Sequence, residues 1–462
     1  MDILVINGSP KGKYSITLQH VNYLQRKYKE HTFKILHAGQ TIKALEKNFE
    51  VAVASIRAAD AIIFSYPVYT FLAPSQLHRF IELMKESRVD LSDKLVTQIT
   101  TSKHFYDTTA HRYVEENMLD MGARLVRGLS ADMEDLLSQR GREEAEKFFE
   151  MFLWSAENGV FIMPQKSSKE YSPVLATNTD QTDKADKFDV VLITDCKDTE
   201  SSLGKMIDRF IGVLPNKVRV INIGEYPLAG GCLGCFRCAV TGKCVYKDGF
   251  DEFLRNDIQR ADATVYAFEI KDHSMGARFK MYDDRNFCNG HRTVTVGMPV
   301  GYLISGAYSG EDNLKTVIEG RSQVGQNFLA GVATDEEAPN AQIDELAKKL
   351  MYCLEHKHTE PQNFLGVGGR KIFRDLIYQM RGMMKADHKF YKKHGFYSDF
   401  PQKHKGQALK MYLVGALLSS EKILSKIGNK MNDGMLMPYN KLFEKMEREE
   451  KRVENRARKG KK

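Results

Sequence analysis

The sequence predicts an α/β protein made of two tandem doubly wound parallel sheets followed by a C-terminal helical extension, and three observations carry that reading. Short β-branched runs alternate with segments of helical periodicity from Met1 to about Gly159. After a polar stretch, the same alternation begins again at Phe188. It stops near Pro361, beyond which only helical periodicity remains. Such alternation builds parallel sheets covered by helices on both faces. A chain of 462 residues is also too long for one ordinary core.

In the first half, strands fit Ile3–Ile6, Thr32–Leu36, Ala61–Ser65, Leu95–Ile99 and Leu125–Gly128, and the segments between them carry apolar residues at three- and four-residue spacing. Residues 161–187 are rich in Ser, Thr, Asp and Lys, contain Pro173, and read as a linker. In the second half, strands fit Val190–Thr194, Val218–Ile223, Ala263–Phe268, Val300–Ser305 and Ala330–Ala333, with helices over Ser202–Val213, Asp312–Gln326 and Gln342–His356. The second half therefore reads as a degenerate repeat of the first. Domains are expected at 1–160 and 188–358, with a helical extension at 359–462. Within that extension, Phe373–Met383, Gln407–Leu418 and Tyr439–Glu454 read as helices, and Pro438 suits a break before the last.

Composition is that of a globular protein, with 42% hydrophobic and 28% charged residues. The longest apolar stretches, such as Met411–Leu418, are far too short to span a bilayer, and no signal-like segment precedes the first strand, so a cytoplasmic location is expected. The net charge of +8 is concentrated at one end, where Lys441–Lys462 holds ten Lys or Arg against five Glu. The body is close to neutral and contains no recognisable nucleic-acid module, so no nucleic-acid role is expected. All seven cysteines lie from Cys196 onward. An odd count, with four crowded between Cys232 and Cys244, points to metal or redox chemistry rather than a disulfide framework.

The stretch with the plainest chemistry is the first strand and its exit loop, Asn7-Gly8-Ser9-Pro10-Lys11-Gly12-Lys13-Tyr14-Ser15-Ile16-Thr17. Gly8 and Gly12 allow close backbone approach, and Ser15 or Thr17 falls near the N-cap of the following helix. Free N–H groups and the positive dipole end attract a cofactor phosphate there. A capped strand-to-helix turn without ligand is the alternative. The second half has Asp195-Cys196-Lys197-Asp198 at the corresponding place, where two acids repel a phosphate.

With the loops that follow, this chain resembles the flavodoxin-like NAD(P)H-dependent FMN reductases, in particular their iron-sulfur flavoprotein branch. In that family, a Gly-Ser-Pro-Arg loop ending in Ser-x-Thr holds the FMN phosphate. Ser9, Lys11, Ser15 and Thr17 occupy those places here, with Ile16 between the last two and Lys in place of Arg. The charge is kept and the bidentate fork is lost. The family's second loop, Pro-Val-Tyr followed by a proline, corresponds to Pro67-Val68-Tyr69-Thr70-Phe71-Leu72-Ala73-Pro74. It lies at a strand carboxyl end, where aromatic side chains and backbone N–H groups can meet a flavin ring. The loop after the fourth strand, with Thr101 and Ser102, forms the remaining wall, and His104 reads as a bystander.

The spacing C-x2-C-x2-C-x5-C of Cys232, Cys235, Cys238 and Cys244 resembles the compact run on which iron-sulfur flavoproteins hold a [4Fe-4S] cluster. Four thiolates also suit zinc, and cluster-free relatives keep several such cysteines, so those readings stay open. Cys288 with His291 makes only two ligands, and Cys196 and Cys353 read as buried apolar residues.

The resemblance implies strand order 2-1-3-4-5 in each half, one FMN, one cluster and NAD(P)H as reductant. Electrons would pass to an unidentified acceptor, with nicotinamide and flavin nucleotides as small-molecule partners. A redox partner protein and a homodimer are compatible with it. The alternatives are a ferredoxin-type electron-transfer flavoprotein without a nicotinamide site, or an FMN reductase whose second half is a zinc-stabilised or metal-free interaction module. No catalytic side chain is assigned.

Overall fold

The computed structural model describes residues 1–163, 171–179 and 184–398, and residues 406, 409, 410, 412, 413, 416, 444, 446–449, 451 and 452. Met1–His394 forms one compact unit, and Gly395–Lys462 forms a second, helical at its described positions from 406 onward. The helices expected at Gln407–Leu418 and Tyr439–Glu454 lie largely outside the described residues.

The first half runs β1 (Asp2–Asn7), α1 (Ile16–Lys27), β2 (Thr32–Leu36), α2 (Ala38–Leu45), α3 (Glu50–Ala58), β3 (Ala61–Pro67), α4 (Ser75–Glu86), β4 (Leu95–Ser102), α5 (Asp107–Asp120), β5 (Arg124–Leu125), β6 (Leu129–Asp132) and α6 (Gln139–Asn158). Its sheet has the order β2-β1-β3-β4-β5, all parallel, with β6 also on β4. The central strands are buried on both faces, as their unbroken apolar runs require. The expected fifth strand at Leu125–Gly128 is instead split in two. Leu125 pairs with Ile162 on its free side, and the backbone at Gly128 lies against the Gln98 side chain, which interrupts the ladder before β6.

The second half runs β7 (Ala185–Thr194), α7 (Ser202–Val213), β8 (Asn216–Asn222), α8 (Arg237–Thr241), α9 (Phe250–Phe253), β9 (Ala263–Glu269), α10 (Gly276–Arg285), β10 (Pro299–Ser305), α11 (Asp312–Gly325), β11 (Phe328–Thr334) and α12 (Pro339–His356). Then follow α13 (Phe364–Gln379) and α14 (Lys385–Lys393). The order β8-β7-β9-β10-β11 repeats the 2-1-3-4-5 topology of the first sheet. Strand β7 begins at Ala185, inside the stretch expected as linker. Within that stretch, Tyr171 donates to Asp335 at 2.8 Å and Ala176 is buried, so residues 171–179 lie packed on the second sheet's unit. Helix α13 starts at Phe364, earlier than expected, because Asn363 caps Leu365 and the helix buries Gly366 and Gly369 against α11 and the Phe105–Tyr106 pair.

The two halves pair through equivalent elements. Helix α4 follows the third strand of the first sheet, α10 follows the third strand of the second, and the two pack on each other. Helices α5 and α11, each after a fourth strand, do the same. Contact between like surfaces is the mark of a two-fold dimer interface, built here within one chain. At its centre, fully buried Asp272 bonds His78 Nδ1 at 2.7 Å and the Tyr113 hydroxyl at 2.8 Å. Burial works to raise its carboxyl, but His78 and these hydrogen bonds outweigh it and hold the group below the usual range.

Candidate functional site

The β1–α1 loop is set by its own polar side chains. Asn7 Nδ2 donates to the Gly12 carbonyl at 2.9 Å, the Ser9 N–H to Asn7 Oδ1 at 3.2 Å, and the Lys11 N–H to Ser9 Oγ at 3.3 Å. Ser15 caps α1 by accepting from the Leu18 N–H, and the first turn of that helix carries no acid. The dipole end is thus left open to an anion. Thr17 Oγ1 meets Thr101 Oγ1 at 2.6 Å and ties the loop to β4.

A cavity of about 200 Å³ opens at these strand ends. Its wall includes every sequence-predicted flavin residue but one: Ser9, Lys11, Ser15, Ile16 and Thr17 from the first loop, Pro67, Val68, Tyr69 and Thr70 from the second, and Thr101 and Ser102 from the third. Phe71 is the exception and a correction. It is turned into the packing of Phe105 and Tyr106, at 5.0 and 4.2 Å between ring centroids, with Arg321 over its ring. His104 lies outside the wall, exposed and bonded to Asp107 at 3.0 Å.

Phe71 turns away because the loop is wound left-handed, with φ of 41° at Thr70 and 73° at Phe71. Two successive positive φ values at non-glycine residues are costly and persist only when surroundings enforce them. The second half does so. Lys280 on α10 donates to the Tyr69 carbonyl at 3.0 Å and to Thr70 Oγ1 at 2.6 Å, and Arg321 on α11 donates to the Thr70 carbonyl at 2.9 Å. Asp284 accepts from Thr70 Oγ1 at 2.8 Å and from the Ser75 N–H at 2.7 Å. Lys280 pairs with Asp284, and Arg321 with Asp283, so two cations and two anions cancel in a buried cluster. Burial would raise Asp283, but Arg321 and Lys280 outweigh it and hold its carboxyl low.

Cys232, Cys235, Cys238 and Cys244 form the facing wall of the same cavity. Glycine allows this approach: a Cβ at Gly234 would overlap the Tyr69 hydroxyl, and one at Gly231 would overlap Ser75 Oγ. The Gly234 N–H points to Cys232 Sγ at 3.5 Å, and Arg285 Nη2 lies 3.9 Å from Cys244 Sγ. Burial, with Asp284 nearby, pushes the Cys232 thiol well up, and burial takes Cys238 up to about 11. Neutral buried thiols of this kind become thiolates only when metal ions compensate their charge. A four-thiol set with N–H and guanidinium donors on sulfur fits a metal–sulfur group. The only triad of His, Cys, Asp or Glu ligand atoms within 4.8 Å of one another, among the described residues, is Glu116, His273 and Glu311, away from the cysteines.

Sequence reasoning missed several wall residues. Cys288, buried and pushed up to about 12 by burial, joins the wall with Arg285, Phe287 and His291. Phe373 of α13 also lines it, 4.1 Å from Phe105 and 4.6 Å from His291 between centroids. The Cys288–His291 spacing was the one signal. The loop of α10 and the position of α13 are set by tertiary packing and leave none.

Residues 1–131 match the model of the NADPH-dependent FMN reductase family. The match covers β1 to β5 and the start of β6 in the first sheet. Two iron-sulfur flavoproteins are also similar to the chain. An iron-sulfur flavoprotein of Archaeoglobus fulgidus is 27% identical over 206 residues, covering 42% of this chain and 92% of its own. An iron-sulfur flavoprotein of Clostridioides difficile strain 630 is 22% identical over 181 residues, covering 33% of this chain and 75% of its own. Among solved structures, an apo NADH:FMN oxidoreductase is 19% identical over 33% of this chain and 89% of that one, with a TM-score of 0.30. The chain is a flavoprotein oxidoreductase. No helix among the described residues is long and apolar enough to cross a membrane.

Proposed function

We propose that this chain is an NAD(P)H-dependent oxidoreductase with one FMN and one [4Fe-4S] cluster, delivering electrons to an acceptor outside the chain. The observation that carries the reading is the shared cavity: the flavin loops of the first half and the cysteine loop of the second form its opposite walls. The names of the two similar iron-sulfur flavoproteins support it. FMN, when bound, supplies conversion between two-electron and one-electron transfer, and a cluster on the four thiolates supplies single-electron relay.

The residues then divide the work. Ser9, Ser15 and Thr17 present hydroxyls, and α1 its first N–H groups, to the phosphate, while Lys11 balances its charge. Pro67 to Thr70 and Thr101 to Ser102 flank the ring. Cys232, Cys235, Cys238 and Cys244 hold the iron. The second half covers the flavin side as a partner subunit would, so a single chain completes the site. The division into 1–160, 188–358 and 359–462 is kept on this view, with 359–394 contributing Phe373 and Leu376 to the wall.

The test is an absorption spectrum of anaerobically purified protein, with flavin, iron, sulfide and zinc assayed on the same sample. One flavin and four irons per chain are expected. Two flavins per chain, or zinc without sulfide, would overturn the reading.

A further inference from the structure

The cysteine loop faces solvent as well as the cofactor cavity. Cys235 is exposed, and Leu233, Val240 and Val245 around it are 37%, 44% and 41% exposed. Leu233, Cys235 and Val245 also line the cavity, so this small apolar surface lies at its rim. Arg237, Lys243 and Lys247 alternate along the chain with the wall residues Phe236, Cys238, Cys244 and Tyr246, and all three are exposed.

A second basic element adjoins this loop. Helix α14 packs on α8, and a Cβ at Gly242, which ends α8, would lie 4.0 Å from Ala386 Cβ. Lys385, Lys389, Lys392 and Lys393 of α14 are exposed. None of these Lys and Arg side chains makes a hydrogen bond or ion pair among the described residues. Asp248 and Asp387 are the only acids in 230–250 and 385–393. Both are neutralised from within: Asp248 pairs with Arg285, and Asp387, fully buried, pairs with His291 and Arg292.

This positive surface is local. Gly395–Lys462 holds sixteen Lys or Arg against eight Asp or Glu, which accounts for the whole net charge of +8, so Met1–His394 is neutral overall. Unpaired cations gathered on one face of a neutral body attract and orient an anionic partner. An apolar centre with a charged rim is the anatomy of a protein interface, and transient redox complexes use modest patches that bury less than about 1,200 Å². A nucleic acid would be held by the cations alone and would need no apolar centre around an exposed cysteine, so the arrangement favours an acidic protein.

We propose that the surface formed by the cysteine loop and α14 docks a small acidic protein that carries single electrons. The partner's carboxylates meet Arg237, Lys243, Lys247 and the lysines of α14, and its redox group faces Cys235 across Leu233 and Val245. The inference rests on the function proposed above and names the class of its acceptor. Each encounter oxidises the chain by one electron and reduces the carrier by one. Two carriers are therefore reduced, and one proton is released to solvent, for each nicotinamide oxidised.

The test is fluorescence anisotropy of a labelled plant-type ferredoxin, a small acidic carrier, titrated with the full chain as purified. One ferredoxin per chain is expected, with affinity falling about tenfold between about 20 mM and about 200 mM salt. Cytochrome c, a basic carrier, should not compete. Arg237→Glu and Lys389→Glu should each weaken binding about tenfold, while Lys147→Glu on α6 leaves it unchanged. All three should keep the parent protein's flavin content, iron content and rate with menadione, a small neutral acceptor. Absence of saturable binding, competition by cytochrome c, or unchanged affinity in both Arg237→Glu and Lys389→Glu would overturn the proposal, the last by moving the acidic partner to another surface. A single-stranded RNA of about 20 nucleotides that binds more tightly than ferredoxin and is weakened by the same two substitutions would assign the surface to nucleic acid and overturn it as well. Anisotropy reads binding without iron, so the two readings fail separately. An iron-loaded chain that does not bind overturns the docking alone, and an iron-free chain that binds overturns the cluster alone.

Discussion

Lys280 Nζ donates to Thr70 Oγ1 at 2.6 Å across 210 residues of sequence. One residue lies on the helix after the third strand of the second half, the other in the loop after the third strand of the first. This bond and its neighbours make the conformation of the Pro67–Pro74 loop depend on the second half. The second half supplies these contacts, and its own β7–α7 loop carries Asp195 and Asp198.

Replacing Lys280 by Met removes one cation from the buried cluster and leaves Asp284 uncompensated. Loss of one partner of a buried pair costs about 3–5 kcal/mol. We expect denaturant unfolding to show a loss of that size. We also expect FMN affinity to fall at least tenfold, because Thr70 and Phe71 relax from positive φ. A variant that unfolds like the parent protein and keeps its flavin would show that the loop holds itself.

Cys232→Ser, Cys235→Ser, Cys238→Ser and Cys244→Ser should each abolish stoichiometric iron and acid-labile sulfide while leaving one flavin per chain. Cys288→Ser should keep both iron and flavin, since its thiol packs in the same wall but outside the compact run. Iron retained at four per chain in any of the first four variants would reassign the ligand set.

The strands, the capped start of α1 and the closeness of the four cysteines were legible because each rests on local rules: period-two or continuous apolar runs, glycine and hydroxyl residues at a helix start, and thiols at two-residue gaps. Phe71 was misplaced because its side-chain direction follows from a positive φ that Lys280 and Arg321 enforce from far along the chain. The early start of α13 was hidden by Gly366, Gly368 and Gly369, poor helix formers that tertiary packing against α11 overrides. The split between β5 and β6 depends on Gln98, and Cys288 joins the site through packing alone. Long-range contacts, rather than weak local signals, account for each miss.

Ser15 and Lys11 separate two contributions to the phosphate site. Ser15→Ala removes the cap of α1 and should cost about 1 kcal/mol in stability as well as weakening FMN. Lys11→Ala should leave stability within about 0.5 kcal/mol and weaken FMN in a salt-dependent way. Flavin titration at low and high ionic strength checks this. An affinity loss on Lys11→Ala that is the same at both salt concentrations would remove the charge argument.

His273 sets a pH dependence at the interface between the halves. Its ring donates from Nε2 to Asp120 at 2.9 Å and from Nδ1 to Glu311 at 2.9 Å, with Glu116 beside it and Lys85 on Asp120 at 2.9 Å. Burial works to lower its basicity, but the two carboxylates outweigh it and take it up to about 10. A raised folded-state value stabilises fully below the ordinary value of about 6.5 and is lost as pH rises through about 10. Glu116, raised by burial to about 7, acts in the same direction, its folded form favouring the proton between its ordinary value and that pH. Asp120, where burial is outweighed by His273 and Lys85, is held at about 2 and matters only in acid. The ring is partly exposed, so the pair of contacts contributes about 2 kcal/mol rather than the full linkage value. His273→Gln should therefore lower stability by about that amount near pH 6, with the gap from the parent protein closing as pH approaches 10. Urea unfolding at several pH values measures the gap, and a constant difference from pH 6 to 10 would show that His273 contributes packing rather than charge.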